Sequence, residues 1–502
     1  MYSEEAEAEE YESMANTHPI VGAASLPSPG PKPTDVRNVI MMVSDGFGPA
    51  SETFARAYVE QSEKYPINYM SILDKILVGS SRTRSSDSFV TDSAPGAVCF
   101  ASARKTYNTA IGVDDNTKPI GTNMEAAHRL GYKTGLVVKS YITDATPSAF
   151  AAHAATRQMM DLIAEQMGGL TNLGQNVDLM FGGGRCQFIG NSTKGSCRTD
   201  DRDVWGEMGK NGWSLMSTND EFKSLTTSPK LPLMGLFDLG NIPYVMDYKI
   251  NDVPTLPQMA KKAIDILAEA SKDSSQGFYM MIEGSRIDHG GHDNDLGTHL
   301  KEILEYWETI KIVSDYIDEH PDTVMVSTSD HECGGLTLGR DNQYWVYPLV
   351  YSNQTMSQQV SCQNYLKLPV EKRGQYVTET MLPVHLGLSN VTAAKASVVL
   401  KATSQSSCLL AMSDALAVDA NIMWTSLGHT GVDVNLYAKG KHTEELAGNH
   451  ENTDIGMWLS KMLGVDLNDA TERIKDVNVF QYPYTKPNST YAFIPSLDYY
   501  HK

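Results

Sequence analysis

Nearly continuous apolar runs alternate with amphipathic stretches along this chain. Such a run is typical of a strand that is buried on both faces of a sheet. The predicted strands are NVIMMVSDG (38–46), TGLVVKSYI (134–142), VDLMFGG (177–183), GFYMMIEG (277–284) and TVMVSTSDH (323–331). The predicted helices are YMSILDKIL (69–77), TNMEAAHRLGY (122–132), PQMAKKAIDILAEASK (257–272) and THLKEILEYWETIKIVSDYIDEH (298–320). This alternation predicts an α/β fold, a large and mostly parallel central β-sheet with helices on both faces.

The alternation of predicted strands and helices is interrupted in three stretches, and these define the predicted domain organisation. Residues 1–34 are acidic and then rich in Pro, Ser and Gly, which predicts a disordered tail. Residues 35–482 form the main domain, and 483–502 form a C-terminal tail. Within the domain, the stretch from about 343 to 424 is polar and is predicted to be loop-rich, as an insertion or a small subdomain.

Composition narrows the function classes. The 502 residues carry a formal charge of −20, with a sequence pI of about 5.1. Nucleic-acid binding requires basic surface, so we expect none. The hydrophobic share of 41% is enough for a sizeable core. No apolar run approaches the roughly 18 residues of a membrane span, so none is predicted in this chain.

Cysteines and glycosylation sequons indicate the secretory pathway. The six cysteines include no CxxC pair, which argues against a zinc–thiolate site. Two pairs are candidates for disulfides, Cys186 with Cys197, which flank a polar loop, and Cys362 with Cys408, and the pairing stays open. Four N-x-S/T sequons begin at Asn191, Asn353, Asn390 and Asn488. The first residues, MYSEEAEAEEYESM, do not have the pattern of a signal peptide, so the route of targeting stays open.

Acidic residues follow four of the apolar runs. They are Asp45, Asp144 with Thr146 just after it, Glu283, and Asp330 with His331. Taken singly, each acid is explained by a turn or a helix cap. The carboxyl ends of parallel strands meet at one edge of the sheet, where ligands bind in such folds. Together the acids would repel one another strongly unless cations lay among them, which favours a metal site.

The segment RIDHGGHDND contains Asp288, His289 and His292. Asp288 and His292 are four residues apart, which places them on one face of a helical turn and within reach of a shared ion. The alternative is a solvent-facing loop, because Gly290 and Gly291 weaken a helix.

Farther along the chain, SLGHTGVDV contains His429. A lone histidine in a loop is usually polar surface, but Asp288 and His292 leave a zinc ion short of a third protein ligand. Histidine with carboxylate suits zinc, whereas the oxygens of Thr146 and Glu283 suit magnesium. The chain offers both sets of ligands.

Ser93 follows Asp92 in VTDSAPGA (90–97), just before the helix-like APGAVCFASARK. No G-x-S-x-G sequence surrounds it, so a hydrolase nucleophile elbow is not supported. One interpretation is a helix N-cap. The other is a nucleophile at a helix N-terminus, where backbone N–H groups favour an anion and a bound zinc ion would remove the need for a histidine base.

A collinear set of motifs resembles the alkaline phosphatase family, with the closest likeness to the fungal vacuolar (repressible) enzymes. It covers roughly residues 36 to 465 and comprises SDGFGPAS, GSSRTRSSDSFVTDSA, ITDATPSAFAAH, MIEGSRIDHGGHDND, STSDHECGG, GHTGVDVN and GNHENTDIG. The resemblance implies metal-dependent hydrolysis of phosphate monoesters through a phosphoserine, with a broad substrate range. It also implies a homodimer in a vacuolar or extracellular compartment, with two Zn²⁺ and one Mg²⁺ per subunit.

The resemblance implies a role for each motif residue. Ser93 is the serine that becomes phosphorylated. The first zinc ligands are Asp288, His292 and His429. The second zinc ligands are Asp45, Asp330 and His331, and Ser93 also coordinates this ion. The magnesium ligands are Thr146, Glu283 and the shared Asp45. Phosphate and water contacts fall to Arg157 (in HAATRQ), Asp144, which holds a magnesium-bound water, and His289, where family members differ.

Three positions depart from the family pattern. Pro95 and Val98 stand where a small residue and a threonine are usual. Proline is tolerated in a first helical turn but removes one N–H that would face phosphate. Cys333 replaces a common threonine, as a buried small residue or as an oxidation-sensitive neighbour of the site.

Three other function classes remain as alternatives. DGFGPAS follows a strand as in nucleotide-binding oxidoreductases, but the third glycine of that motif is missing. Sulfatases and phosphodiesterases share such metal scaffolds but use other nucleophiles, and a substrate panel separates them. A non-enzymatic metal-binding or storage glycoprotein would hold zinc without releasing phosphate.

Overall fold

The computed structural model describes residues 25–484, and a ten-stranded sheet organises this part of the chain. The predicted tails therefore fall mostly outside the described residues. The strands are β1 (Asn38–Val43), β2 (Leu77–Arg82), β3 (Lys133–Tyr141), β4 (Leu179–Gly183), β5 (Ser214–Met216), β6 (Leu233–Leu236), β7 (Phe278–Glu283), β8 (Thr323–Thr328), β9 (Glu332–Cys333), β10 (Leu336–Leu338), β11 (Ile422–Trp424), β12 (His429–Thr430), β13 (Val434–Lys439) and β14 (Gly448–Glu451).

The large sheet runs in the order β14-β2-β13-β8-β1-β7-β3-β4-β6-β5. Its seven strands from β8 to β5 pair in parallel, and β13 is antiparallel to both of its neighbours. The two small sheets within residues 25–484 pair β10 with β11 and β12 with β9. The predicted α/β architecture with a mostly parallel central sheet is confirmed.

Helices cover both faces of the sheet. They are α1 (Pro49–Ser62), α2 (Ser93–Ser102), α3 (Asn123–Arg129), α4 (Ala145–Ala151), α5 (Met160–Met167), α6 (Val204–Lys210), α7 (Asn219–Ser224), α8 (Leu256–Ser271), α9 (Arg286–His292), α10 (Leu296–Glu319), α11 (Gln358–Lys367), α12 (Val370–Tyr376), α13 (Ala393–Leu400), α14 (Gln405–Ala420), α15 (Asn452–Leu463) and α16 (Leu467–Ile474). Short 3₁₀ turns span Asp74–Ile76, Arg185–Phe188, Val245–Asp247, Pro348–Asn353 and Thr443–Leu446, and a π-helix spans Val377–His385.

Two hydrophobic cores lie on opposite faces of the sheet, as alternation along each strand requires. On β1, Ile40 and Met42 face one core, while Val39, Met41 and Val43 face the other. The first core also takes in α8, α10 and the segment 358–420, and the second takes in α2 to α5 and α15. Because both faces are buried, the strands read as continuous apolar runs.

Two predictions of local structure are wrong. Residues 69–77 do not form a helix: they contain only the 3₁₀ turn Asp74–Ile76 and the first residue of β2. The stretch 343–424 is not loop-rich, because it folds mainly into α11 to α14 and the π-helix. Its helices expose much of their surface, which dilutes the apolar periodicity, although serine and threonine N-caps at Ser357, Thr392 and Ser404 mark where three of them start.

Both candidate disulfides are present, Cys186–Cys197 and Cys362–Cys408. The second joins α11 to α14 and so ties the helical segment together. Among the sequons, Asn191, Asn353 and Asn390 are exposed, whereas Asn488 lies outside the described residues. Residues 25–34, predicted as part of the N-terminal tail, pack on the domain: Lys32 donates to the Tyr132 hydroxyl. Within residues 25–484 no helix has the length and apolar character needed to cross a bilayer.

Candidate metal centre and nucleophile

Three adjacent parallel strands bring their acidic ends together. β1 lies between β7 and β8, with Val43 in register with both Glu283 and Thr328. Asp45 and Asp330 each follow their strand by two residues, so the three acids share one edge of the sheet. β3 lies beside β7 and leads to Asp144 at the same edge. The predicted convergence of strand ends is therefore present.

The first cluster consists of Asp288, His292 and His429. The Nε2 atoms of the two histidines are 3.1 Å apart, and the Asp288 carboxylate oxygens lie 3.2 Å from His292 Nε2 and 3.6 Å from His429 Nε2. A tetrahedral zinc ion with bonds of about 2.0–2.1 Å has ligand–ligand distances of roughly 3.3–3.4 Å. The spacing of the three side chains therefore suits a shared zinc ion.

The tautomers of both histidines support metal binding. His292 Nδ1 lies 2.6 Å from the Leu427 carbonyl, and His429 Nδ1 lies 2.7 Å from the Thr91 carbonyl. A carbonyl only accepts, so each Nδ1–H donates and each Nε2 keeps its lone pair in the neutral ring. Such outer hydrogen bonds orient histidines that ligate metals. Two lone pairs 3.1 Å apart are stabilised by a cation between them.

The glycines that weakened the helix prediction are required by the packing of α9. A Cβ on Gly290 would lie 2.9 Å from the backbone of His299, and one on Gly291 would lie 3.0 Å from the Cβ of Cys333. Larger residues would push α9 away from these neighbours. Glycine at both positions therefore lets the helix that carries Asp288 and His292 pack closely against α10 and β9.

The second cluster surrounds His331 Nε2. This atom lies 3.6 Å from Asp45 Oδ1, 3.2 Å from Asp330 Oδ2 and 3.0 Å from the Ser93 hydroxyl. The imidazole rings of His331 and His429 stack with centroids 3.4 Å apart, so the two clusters are adjacent. Ligand atoms of Asp45, Asp288 and His331 all lie within 4.8 Å of one another.

A third group of oxygen atoms lies between β3 and β7. Glu283 Oε2 accepts hydrogen bonds from Ser285 (2.6 Å) and Ser140 (3.3 Å). Thr146 lies on α4, for which Asp144 is the N-cap residue, and its hydroxyl is buried without a hydrogen-bond partner among the described residues. This set offers oxygen donors, which magnesium prefers.

Burial and mutual repulsion shift the pKa values of these acids. Burial, and then the charges of Asp330 and Asp288, raise the pKa of Asp45 well above its ordinary value. Burial, and then Asp144 and Asp330, raise the pKa of Glu283 to about 8. Burial and the charge of Asp288 raise the pKa of Asp330 to about 7. In Asp288, burial acts upward, but His292 and His429 outweigh it and lower the pKa. Divalent cations would relieve this repulsion.

The donor set fits metal ions. Several carboxylate oxygens of the cluster are fully buried yet accept no hydrogen bond within residues 25–484: Asp45 Oδ1, both oxygens of Asp288, and Asp330 Oδ2. Burying an ionised carboxylate without partners is costly, and coordination to a cation is the usual compensation. The arrangement therefore fits two ions bound by His and carboxylate and one bound by oxygens.

Ser93 is the first residue of α2 and is buried beside the second cluster. Asp92 holds the N-cap position, and no side chain caps this helix. The interpretation of Ser93 as an N-cap is therefore wrong. Asp92 instead accepts from the Thr109 N–H (2.6 Å) and from the Arg157 guanidinium. Arg157 also donates to Asp144 at 2.7 Å, so two carboxylates fix its direction.

One feature of the site was not predicted as such, the closeness of Cys333 to the ligand atoms of the first cluster. The Cys333 sulfur lies within 4.8 Å of ligand atoms of Asp288, His292 and His429, although Cys333 was not counted among the candidate ligands. Its position two residues after His331 was the available signal, since alternate residues share a side of an extended chain. His289 is buried on α9, in the same turn as Asp288.

Comparison with known proteins agrees with this geometry. A family model described as alkaline phosphatase matches residues 36–465. The chain is 42% identical to the alkaline phosphatase of Schizosaccharomyces pombe, over 89% of this chain and 84% of that protein. It is 39% identical to the repressible alkaline phosphatase of Saccharomyces cerevisiae, over 88% and 83%. The crystal structure of a cold-active alkaline phosphatase from Shewanella sp. superposes with a TM-score of 0.73 at 29% identity, covering 85% of this chain and 99% of that one.

Proposed function

Because this chain belongs to the alkaline phosphatase family and is a hydrolase of phosphate monoesters, we propose that Ser93 is its nucleophile and that phosphoserine is the intermediate. The observation that supports this most directly is the position of Ser93. Its hydroxyl lies 3.0 Å from His331 Nε2, at the N-terminus of a ten-residue helix and beside buried carboxylate oxygens that accept no hydrogen bond within residues 25–484. An anion at that point meets backbone N–H groups and the positive end of the helix dipole.

The reaction takes place in two displacements. In the first, the Ser93 hydroxyl gives up its proton and its Oγ forms a bond to phosphorus, while the bond to the ester oxygen breaks and that oxygen takes up a proton to depart as the alcohol. In the second, the oxygen of a water molecule bonds to phosphorus, the bond to Ser93 Oγ breaks, and inorganic phosphate is released. The first step consumes the free serine. In the second step a proton from the water replaces phosphorus on Ser93 Oγ, so the serine is regenerated and water is the only co-substrate.

Arg157 binds the phosphoryl group. Its guanidinium presents parallel N–H donors that match two phosphoryl oxygens, and Asp92 and Asp144 hold it in one orientation. The guanidinium of Arg157 therefore loses little conformational entropy when it binds phosphate. Pro95 lacks an N–H in the first turn of α2, so this helix offers one backbone donor fewer than a chain with another residue at that position.

Two Zn²⁺ and one Mg²⁺ complete the site in this proposal. Asp288, His292 and His429 hold the first zinc, Asp45, Asp330 and His331 the second, and Thr146, Glu283 and Asp45 the magnesium. When bound, the zinc ions supply Lewis-acid stabilisation of the attacking and leaving oxygens of an in-line displacement. Since these groups recognise the phosphoryl end, few are left to select the alcohol, and we expect a broad substrate range.

The cellular setting is also a proposal. Two disulfides and three exposed sequons, at Asn191, Asn353 and Asn390, are typical of an oxidising, glycosylating compartment. We propose a glycoprotein of the secretory pathway, in a vacuole or outside the cell, that assembles as a homodimer. Sedimentation at working concentration tests the dimer, and a mass shift on treatment with a glycosidase tests the glycans.

The nucleophile is tested by comparing two serines of the same helix. Ser93→Ala removes the proposed nucleophile, and Ser102→Ala is a matched control, since Ser102 is buried on α2 and its hydroxyl donates to the Val98 carbonyl. We expect Ser93→Ala to lower phosphate release from an aryl phosphate by at least about 10³-fold. Ser102→Ala should stay within about threefold of wild type. Near wild-type turnover by Ser93→Ala contradicts the proposal.

The metals are tested by elemental analysis combined with chelation. We expect two zinc and one magnesium per chain, loss of phosphate release after chelation, and recovery on adding both ions. A protein that keeps its activity when free of metal refutes this ligand assignment. Direct detection of phosphate on Ser93 after acid quenching tests the covalent intermediate independently.

A further inference from the structure

The carboxylate of Glu332 is buried and is used by neither the proposed chemistry nor the proposed metal sites. Three donors converge on it. The Gly335 N–H lies 3.0 and 3.2 Å from its two oxygens, and the Leu336 N–H lies 3.3 Å from Oε1. The Thr430 hydroxyl donates to Oε2. All three partners donate here, and a carboxylate is the side chain that only accepts.

This carboxylate joins the segments that carry the two histidine clusters. Glu332 directly follows His331, and Thr430 directly follows His429. Between them, β9 and β12 pair in antiparallel fashion with Thr430 opposite Glu332 and His429 opposite Cys333. The Glu332 side chain thus joins β9, which directly follows the proposed ligand His331, to β12, which contains the proposed ligand His429.

The backbone pairing alone is a weak support for His429. β9 and β12 have two residues each, and such a short two-stranded ribbon is marginal in water. The histidine ring must nevertheless stay within about 0.5 Å of the position that metal binding demands. The contact between Thr430 and Glu332 adds a charge-assisted hydrogen bond immediately next to that histidine.

Glu332 also lies against the loop that carries Asp45. A Cβ on Gly48 would lie 2.1 Å from Glu332 Cγ, so this glycine is needed for the carboxylate to reach its donors. In addition, the Cys333 N–H donates to the Gly46 carbonyl at 3.2 Å. The loop after β1 and the β9–β12 ribbon therefore pack as one unit around the Glu332 side chain.

We propose that Glu332 is a positioning residue that, through the Thr430 hydroxyl, holds His429 in place to bind the first zinc ion. The proposal rests on the proposed function, because it takes Asp288, His292 and His429 as the ligands of that ion. It assigns to Glu332 no contact with substrate or metal. Loss of the contact should weaken binding of one zinc ion and leave the other ions in place.

The decisive variant is Thr430→Val, which removes the hydroxyl and keeps the shape of the side chain. We expect it to weaken the first zinc site by about 10-fold, the lower end of the effect of losing a hydrogen bond made directly to a metal ligand, because Thr430 acts on His429 only through the backbone. Zinc affinity is measured by competition with a chromogenic chelator, and zinc content should fall from two to one per chain at intermediate chelator concentration. Thr430→Ser, which keeps the hydroxyl, should restore wild-type affinity.

Variants of Glu332 test the other partner. Glu332→Ala should reproduce the effect of Thr430→Val, and the double variant should be no worse than Glu332→Ala. Glu332→Gln, which keeps one acceptor oxygen, should fall between Glu332→Ala and wild type. The exposed Glu371→Ala is the control for loss of a carboxylate and should bind zinc as wild type does. Circular dichroism shows whether each variant is folded.

Zinc affinity of folded Thr430→Val within about twofold of wild type overturns the proposal, whether or not Glu332→Ala folds. Equal loss in Thr430→Ser and Thr430→Val also overturns it, because a purely structural defect would not be rescued by the hydroxyl. These outcomes are distinct from failure of the proposed function. That failure appears in the wild-type protein as absence of bound zinc, or in Ser93→Ala as retained turnover.

Discussion

Binding of metal ions to the acidic cluster should release protons from the protein. The metal-free site keeps buried carboxyl groups partly protonated at neutral pH, because burial and neighbouring charges raise their pKa values. A divalent cation binds the ionised form and therefore expels these protons. The perturbation is the addition of zinc and magnesium to metal-free protein at pH 7.

Two carboxyl groups give the approximate size of this release. With a pKa of about 8, Glu283 is about 0.9 protonated at pH 7, and with a pKa of about 7, Asp330 is about 0.5 protonated. Together they release about 1.4 protons, and Asp45, whose pKa is also raised, adds to that number. At pH 9 the same pair holds only about 0.1 proton. Metal affinity should therefore strengthen as the pH rises through 7 and 8.

The assay is titration calorimetry at constant pH in two buffers that differ in ionisation enthalpy. The difference between the two measured heats, divided by the difference in buffer ionisation enthalpy, gives the number of protons released. Glu52→Gln is a matched control, since Glu52 is a buried carboxyl whose pKa burial raises to about 7, but it lies outside the cluster. We expect the same release from this variant as from wild type. A release below about 0.5 proton at pH 7, or one that does not fall toward pH 9, refutes the electrostatic argument.

Three further predictions follow from other parts of the structure. Arg157→Lys should lower kcat/KM for an aryl phosphate by roughly 10- to 100-fold, because an ammonium cannot form the two parallel hydrogen bonds of the guanidinium. Equal kcat/KM in the variant and in wild type contradicts the assigned role of Arg157 in binding two phosphoryl oxygens. Thiol titration should find no reactive cysteine in the native protein and two, Cys99 and Cys333, after unfolding without reductant, because both are fully buried. Glu52→Gln should become more stable relative to wild type as the pH rises from 5 to 8. In the folded protein burial raises the pKa of Glu52 from 4.5 to about 7. The stability that protonated Glu52 contributes is therefore complete below pH 4.5 and is lost as the pH rises through 7. The loss in free energy of unfolding is at most about 3 kcal/mol. Equal dependence of the unfolding temperature on pH in both proteins counts against this.

The sequence by itself determined the central sheet and the kind of chemistry. Strands β1, β3, β7 and β8 are legible because residues buried on both faces leave an almost unbroken apolar run. Acids after these runs predict a charged sheet edge, and the expected alkaline phosphatase family is confirmed. The same reasoning failed where burial is one-sided, as in β2 and in the helices between 343 and 424, because exposed positions dilute the periodic signal.

Only the tertiary structure decided which distant side chains meet. His429 lies 137 residues from His292 in sequence, yet their Nε2 atoms are 3.1 Å apart, and its tautomer depends on a carbonyl of Thr91. The contact between Glu332 and Thr430 likewise spans 98 residues. Apolar periodicity reports the burial of a segment, which is a local property. The runs therefore predict that strand-end acids share one edge of the sheet. They do not predict which loop residues, such as His429, reach that edge, because this depends on how segments cross in space.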